Sequence, residues 1–578
     1  MSPPFQPIRR PVTYKEVFGE PHTAQALQQL TESLPRAEAS RFLAALGVHL
    51  HMMEDAQNLL APPPAFLRPK SIVETALGIC RREGNRQWLH AGMVCAGWRA
   101  LALWGSGKSG VVDEPFLRDF TRWIFHLSDA YADRQMDFLT DATGQACYSP
   151  LRAFAFTLQN AWIHDAAQDY YTIARTYALL YRVPPLLRPQ DRKLDIAQVF
   201  EEVLGFGLEE YRAVGAVLWA WCYPSRVRSL SPPEAANVGI VEVARHFAIT
   251  ALDSALVARV VNALAHDLDE LRNACDSNHL HEAWWSGDFL QLARTPLIKT
   301  DREGYFALSL PALVLDAFSG GVYHRLRDYY SEKEGTGNNT FTTYWGNLVE
   351  AYTGKLLEDT FHRIERAIGR RRAWVPSQPD MSGEERCDGV LAYDQCAVVF
   401  ESTSSHFTVR SLIGHDLKRV ELDLEKVVLG KVRQLSQACT ALEVGKTALL
   451  DKGQPVRVKE FIPVLVTLAP VPVWEWLMQL VDEMCEREGL FSELSCTPVQ
   501  VISMEEFEML LDFAAAGRSL LDLLRRRASQ VEGRRESMKN WLHERHIKAD
   551  AQRRSPLLQG AFQEWSKEVM GMLKGKSG

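Results

Sequence analysis

Two acidic residues within one short apolar segment carry the most chemical information in this 578-residue chain. The segment runs Arg386-Cys-Asp-Gly-Val-Leu-Ala-Tyr-Asp-Gln-Cys-Ala-Val-Val-Phe-Glu-Ser-Thr403. Asp388 to Tyr393 and Ala397 to Glu401 read as the arms of a β-hairpin. A tight turn at Asp394-Gln395 pairs Tyr393 with Cys396 and, kept in register, sets Asp388 opposite Glu401, with Cβ atoms about 4.5–5.5 Å apart. Two bare carboxylates at that separation repel by roughly 3 kcal/mol at an effective dielectric near 20, and by less than about 1 kcal/mol in water. The flanking Val390, Leu391, Val398, Val399 and Phe400 argue for partial burial, hence for a cation between the two. Paired carboxylates that hold a hard divalent metal can orient a phosphodiester and activate water.

A third carboxylate is offered by the preceding helix. Gly346, Glu350 and Gly354 recur every four residues on one stripe, beside an apolar set of Trp345, Leu348, Val349, Tyr352 and Leu356. Glycines on either side of Glu350 would let that stripe approach a neighbouring backbone.

The elements around these residues divide the chain into four parts. Residues 1–290 read as helical, with apolar positions at helical spacing in Ala39 to Leu60, Ser71 to Arg81, Phe116 to Ala132, Leu151 to Tyr181 and Ile240 to Leu271. Proline clusters at 62–64, 184–185 and 232–233 interrupt them. Residues 291–340 form a connector: a strand from Pro296, a turn at 301–304, a strand from Tyr305, a helix from Pro311 to Tyr330 and a polar linker. Residues 341–514 alternate: a helix from Tyr344 to Arg366, the hairpin, a long helix from Asp416 to Leu442, a strand from Phe461 to Leu468, a helix from Val473 to Arg487 and a strand from Val499 to Ile502. Ser503-Met-Glu-Glu506 then forms a capping box for the next helix. Residues 515–578 read as a basic helical tail. The expected fold class is α+β multidomain: a large all-α N-terminal region, then an α/β domain with a mixed central sheet, then the tail.

A helix with Glu, a strand with Asp, a strand with Glu, then a helix carrying Lys431-Val-Arg-Gln434 resembles the PD-(D/E)XK superfamily, the restriction-endonuclease-like fold. The resemblance covers roughly residues 341–513, and the later strands also stand where that fold places its own. It implies a Mg²⁺- or Mn²⁺-dependent nuclease acting on DNA, with Glu350, Asp388 and Glu401 as metal ligands. Lys431 and Gln434 would support the site from the helix. The chain departs from the family at its third motif, Glu-x-Lys, which here reads Glu401-Ser402-Thr403. Thr403 shares the face of Glu401 but carries no charge. Lys431 is the natural substitute for the missing lysine and Lys426 a weaker one. The alternative is a catalytically inactive nuclease-fold subunit that binds DNA or assembles a complex. Large helical regions joined to such a domain resemble prokaryotic anti-phage and anti-plasmid proteins, which implies further defence-system subunits as partners.

Charge is distributed unevenly. The net charge is −7, yet residues 515–578 hold 14 Lys and Arg against 7 Asp and Glu, so the body carries −14. A chain of this balance does not coat nucleic acid with its whole surface; a local contact remains open. Arg370, Arg371 and Arg372 beside the site, and Arg525, Arg526 and Arg527 in the tail, are the candidate phosphate-contacting residues. The ten cysteines are scattered without a CxxC pair, and the opening residues lack an apolar core of signal-peptide type. Val214 to Cys222 is too short for a bilayer. These features lead to the expectation of a cytoplasmic protein with no membrane partner.

Three other motifs are weaker. Ala102 to Ser109 fits a relaxed P-loop pattern, but helical sequence precedes it and loop sequence follows. Arg272 and His279 have the spacing seen in HEPN-type ribonucleases, a second alternative in the helical region, with His281 as another possible partner. His49 and His51 lie two apart on a helix and so face differently.

Overall fold

The computed structural model describes residues 10–574 apart from 56–65, 140–148, 156–168, 222–237, 277–291, 377–386, 412–416, 445–449 and 546–553 and shorter gaps of up to three residues. The fold is mixed α and β. Helical periodicity in the first third becomes helices Arg36–Asp55 (α1), Ala91–Trp104 (α2), Glu114–Leu139 (α3), Asp169–Tyr177 (α4) and Leu208–Trp221 (α5). Their apolar faces bury Phe42, Trp98, Phe120 and Trp123 in one cluster and Tyr171, Tyr177, Tyr211 and Val214 in another.

The stretch from Ile240 to Leu271 is not one helical unit. Its start is strand β1 (Ile240–Glu242), followed by a helix Ser254–Ala263 capped by Asp253, whose carboxylate accepts from the Leu256 N–H at 2.9 Å. Strand β2 (Ala265–His266) comes next. The connector hairpin, β3 (Leu297–Lys299) and β4 (Tyr305–Leu308), forms as expected, but it does not stand alone. β4 pairs antiparallel with β1 and β3 pairs parallel with β2, giving a four-stranded sheet in the order β1-β4-β3-β2. The β-branched start of that stretch found strand partners about 60 residues downstream, and pairing of that kind overrides local helical periodicity. The expected single helix from Pro311 to Tyr330 is two, Pro311–Phe318 (α6) and Gly320–Glu334 (α7). Ser319, with φ −111° and ψ −87°, breaks it just before the pair Gly320-Gly321.

The second sheet has five strands: β5 (Arg372–Pro376), β6 (Gly389–Tyr393), β7 (Cys396–Thr403), β8 (Glu460–Thr467) and β9 (Gln500–Ser503), in the order β9-β8-β7-β6-β5. β5, β6 and β7 run antiparallel to one another, while β7, β8 and β9 run parallel. Strands buried on both faces read as continuous apolar runs, and every residue of β6 and β7 is buried. One face, with Leu391, Val398 and Phe400, packs under helices Thr340–Ile368 (α8) and Met504–Ala515 (α11). The other, with Val390, Ala397 and Val399, packs under Gly430–Glu443 (α9) and Glu475–Glu488 (α10). The capping box at Ser503 and Glu506 is present.

The tail is helical where described, in Leu520–Ala528 (α12), Val531–Arg534, Met538–Glu544 and Pro556–Lys574 (α13). Arg527 anchors it. Its fully buried guanidinium donates to the Gly533 carbonyl at 2.9 Å, the Gln500 side-chain oxygen at 3.1 Å and the Glu536 carbonyl at 2.7 Å. Replacement by Met removes these three hydrogen bonds from the interior. Arg527→Met is therefore expected to lose about 3 kcal/mol of unfolding free energy in urea denaturation, against under about 0.5 kcal/mol for the exposed Arg526→Met. No described helix is long and apolar enough to cross a membrane.

Candidate active site

Glu401 lies near the end of β7, the central strand of the five, on the face covered by α9. It is only 5% exposed, and a lone carboxylate so enclosed needs a partner. The partner is Lys431, whose Nζ donates to Glu401 Oε1 at 2.7 Å. A π-helical turn, Glu425–Leu429, between helix Leu417–Leu424 and α9 positions this lysine. The extra residue of such a turn rotates everything after it relative to the preceding helix. A side chain at Gly430 would come within 3.1 Å of the Glu425 carbonyl that the turn displaces, so glycine suits that corner. Val427, Val428, Val432 and Leu435 pin the turn and α9 to the core, while Arg433 ties α9 to Glu425 and, at 2.6 Å, to Glu488. Lys426 is exposed.

The hairpin has the expected register, from Tyr393 with Cys396 to Gly389 with Phe400. The ladder is not carried one step further. Asp388 gives its N–H to the Phe400 carbonyl at 3.1 Å, and its Oδ2 accepts from both the N–H and the hydroxyl of Ser402 at 2.5 Å. Side chains alternate along a strand, so Ser402 points away from the Glu401 face. Asp388 therefore hooks around the strand end instead of standing squarely opposite Glu401. It remains close enough to act on it electrostatically. Burial above all, with repulsion from Asp388 and, less, from Glu350 on α8, pushes the Glu401 carboxyl up to about 8 against the opposing pull of Lys431. All four predicted groups thus share one electrostatic neighbourhood. Among the described residues no three carboxylates, imidazoles or thiols are clustered tightly enough to cage an ion as they stand.

The raised Glu401 value has a measurable consequence. Its folded-state value lies above the ordinary 4.5, so the proton is held more tightly in the folded chain. Stability from this group is present below the unfolded value and is lost as pH rises through about 8. The metal-free protein is expected to lose thermal stability between pH 5 and 8, and Glu401→Gln to flatten that slope.

The other predicted residues fall as follows. Thr403 is buried; its hydroxyl accepts from the Ser405 N–H at 3.1 Å, a loop-closing role. Gln434 is exposed on α9. At Gly346 an added Cβ would meet only the Ser404 hydroxyl, at 3.7 Å, so close backbone approach does not explain that glycine. Arg370 and Arg371 lie outside the described residues, and the backbone of Arg372 pairs with Tyr393 in β5. Arg525 forms a two-pronged ion pair with Glu460, Arg527 is enclosed, and Arg526 is exposed. Arg272 donates to the Ala102 carbonyl at 2.7 Å, while His279 and His281 lie outside the described residues. A helix, α2, precedes the P-loop-like string, Lys108 and Ser109 are outside the described residues, and the next helix begins at Glu114. The side chains of His49 and His51 in α1 are likewise outside the described set.

Sequence reading missed Ser402, because alternation places it on the far face. It also missed a buried cluster of Arg175, Tyr352 and Glu508. The signal for that cluster was present: Glu508 and Asp512 stand four apart in the otherwise apolar run Phe507 to Phe513, and acidic groups there require partners. No protein-family model, curated protein or solved structure matches the chain.

Proposed function

We propose that this chain is a divalent-metal-dependent nuclease that cleaves DNA, built on a restriction-endonuclease-like domain. The observation that carries the reading is Lys431. The lysine missing from Glu401-Ser402-Thr403 is supplied by α9, 2.7 Å from the same glutamate, through a π-helical turn. The strand order, with two antiparallel steps followed by two parallel ones, supports the same reading, as does the helix bearing Glu350 on one face of that sheet.

Glu350, Asp388 and Glu401 would hold Mg²⁺ or Mn²⁺, since an all-oxygen, acidic donor set suits a hard cation. A cation bound there supplies Lewis acidity to a phosphodiester oxygen and lowers the pKa of a water. The chain's own residues do the rest. Glu401 and Asp388 bind, Ser402 orients Asp388 through two hydrogen bonds, and Lys431 is placed to hold the attacking water by its Nζ. A role in prokaryotic defence beside other subunits is part of the proposal, and it rests on architecture alone: a large helical region joined to such a domain.

A second reading has an observation in its favour. Lys431 and Ser402 already satisfy Glu401 and Asp388, as they would in a catalytically inactive subunit that binds DNA or assembles a complex. Incubating the full chain with plasmid and linear DNA in Mg²⁺, Mn²⁺ or EDTA separates the two. Cleavage only with metal supports the nuclease. Salt-sensitive DNA binding without cleavage in either metal supports the scaffold.

A further inference from the structure

A buried ionic cluster on the helices that cover one face of the five-stranded sheet joins three distant parts of the chain. Arg175 on α4 donates to Glu508 Oε2 on α11 at 3.0 Å, and the Tyr352 hydroxyl on α8 donates to Glu508 Oε1 at 2.6 Å. The Glu508 side chain is fully buried and that of Arg175 is 14% exposed. One turn along α11, Asp512 accepts from the Tyr171 hydroxyl of α4 and from the Ser555 N–H just before α13, both at 2.7 Å. The Arg554 guanidinium covers the Tyr170 ring at 3.5 Å.

A buried ion pair of this kind is a poor way to gain stability, because desolvation offsets the Coulomb attraction. What directional hydrogen bonds do provide is register. Tyr352 stands two residues from Glu350 on the same helix, so a slide or rotation of α8 that breaks the Tyr352–Glu508 bond displaces the Glu350 carboxylate with it. The affinity of a carboxylate site for a cation depends on how its ligands are held in place by the residues behind them.

We propose that Arg175 is a positioning residue for the carboxylate site: through Glu508 and Tyr352 it fixes the helix that carries Glu350, which makes the N-terminal helical region part of the metal-binding apparatus. The inference rests on the metal-site reading above and adds to it a residue more than 170 positions from Glu350 in the chain.

The test is Mn²⁺ binding to the full chain by calorimetry, with thermal unfolding followed in parallel. Arg175→Met is expected to weaken Mn²⁺ binding about tenfold, as loss of a group that orients a metal ligand does. Arg175→Lys should restore most of the affinity, and Glu350→Gln should weaken binding at least as much as Arg175→Met. Tyr352→Phe keeps the ring in its fully buried site and removes only the hydroxyl, so it carries the test if Arg175→Met does not fold. Binding weakened about threefold or more is expected of it, since one hydrogen bond is lost. A lower melting temperature with unchanged Mn²⁺ affinity in Arg175→Met or Tyr352→Phe overturns the inference and leaves the site reading intact. Wild type that binds no Mn²⁺ overturns both.

Discussion

Glu401→Gln is expected to reduce metal-dependent DNA cleavage by about a thousandfold or more, equivalent to roughly 4 kcal/mol of transition-state stabilisation, while the protein stays folded. The carboxamide has the shape of the carboxylate and still accepts from Lys431 Nζ, so packing around β7 is kept. What it lacks is the charge that would hold a cation beside Asp388. Because burial and Asp388 already disfavour the ionised form, the variant should be as stable as wild type near neutral pH, or more so. Cleavage rates in saturating Mg²⁺ and Mn²⁺, read beside near-ultraviolet circular dichroism and a melting curve, check this. Full activity in Glu401→Gln would remove the carboxylate from the chemistry.

Lys431→Met is expected to separate binding from turnover. The ammonium group is the cation that Glu401 has in the structure, so it competes with a metal for the same oxygen. Its removal should leave Mn²⁺ affinity unchanged or tighter. Turnover at saturating metal should nevertheless fall by about a hundredfold, the scale of losing one group that holds or moves a proton. Lys426→Met is the control, since that side chain is exposed on the π-helical turn and should leave both quantities alone. Turnover unchanged in Lys431→Met would mean that the helix lysine does not replace the one absent from the strand motif.

The hairpin was legible because a two-residue turn between apolar runs sets register by simple counting, and Tyr393 does pair with Cys396. The same counting failed one residue beyond the ladder. Asp388 is where the strand ends, and there the Ser402 N–H and hydroxyl, not the pleat, decide where the carboxylate goes. β5 went unseen because its first residue closes the run Arg370 to Arg372, which reads as a basic cluster and not as the start of a strand, while its pairing with β6 spans a long intervening segment. The π-helical turn was invisible for a different reason: Asp416 to Leu442 has helical periodicity throughout, and only packing against the sheet shows where the extra residue is placed. Lys431 could be singled out by its place in the order of elements, but its contact with Glu401 depends on that turn. Composition also could not show which of the tail's arginines have partners within the fold. A basic composition suggested phosphate contacts, whereas Arg525 and Arg527 are engaged with Glu460 and with interior carbonyl groups.

The most direct measurement is calorimetric titration of the full chain with Mn²⁺, in the absence of DNA, for wild type and for Asp388→Asn. A saturable site in the wild type that is lost or weakened at least about tenfold in the variant is the predicted result. Equal heats in the two proteins, or no binding to wild type at millimolar Mn²⁺, would contradict the proposal that Glu350, Asp388 and Glu401 together bind a catalytic cation.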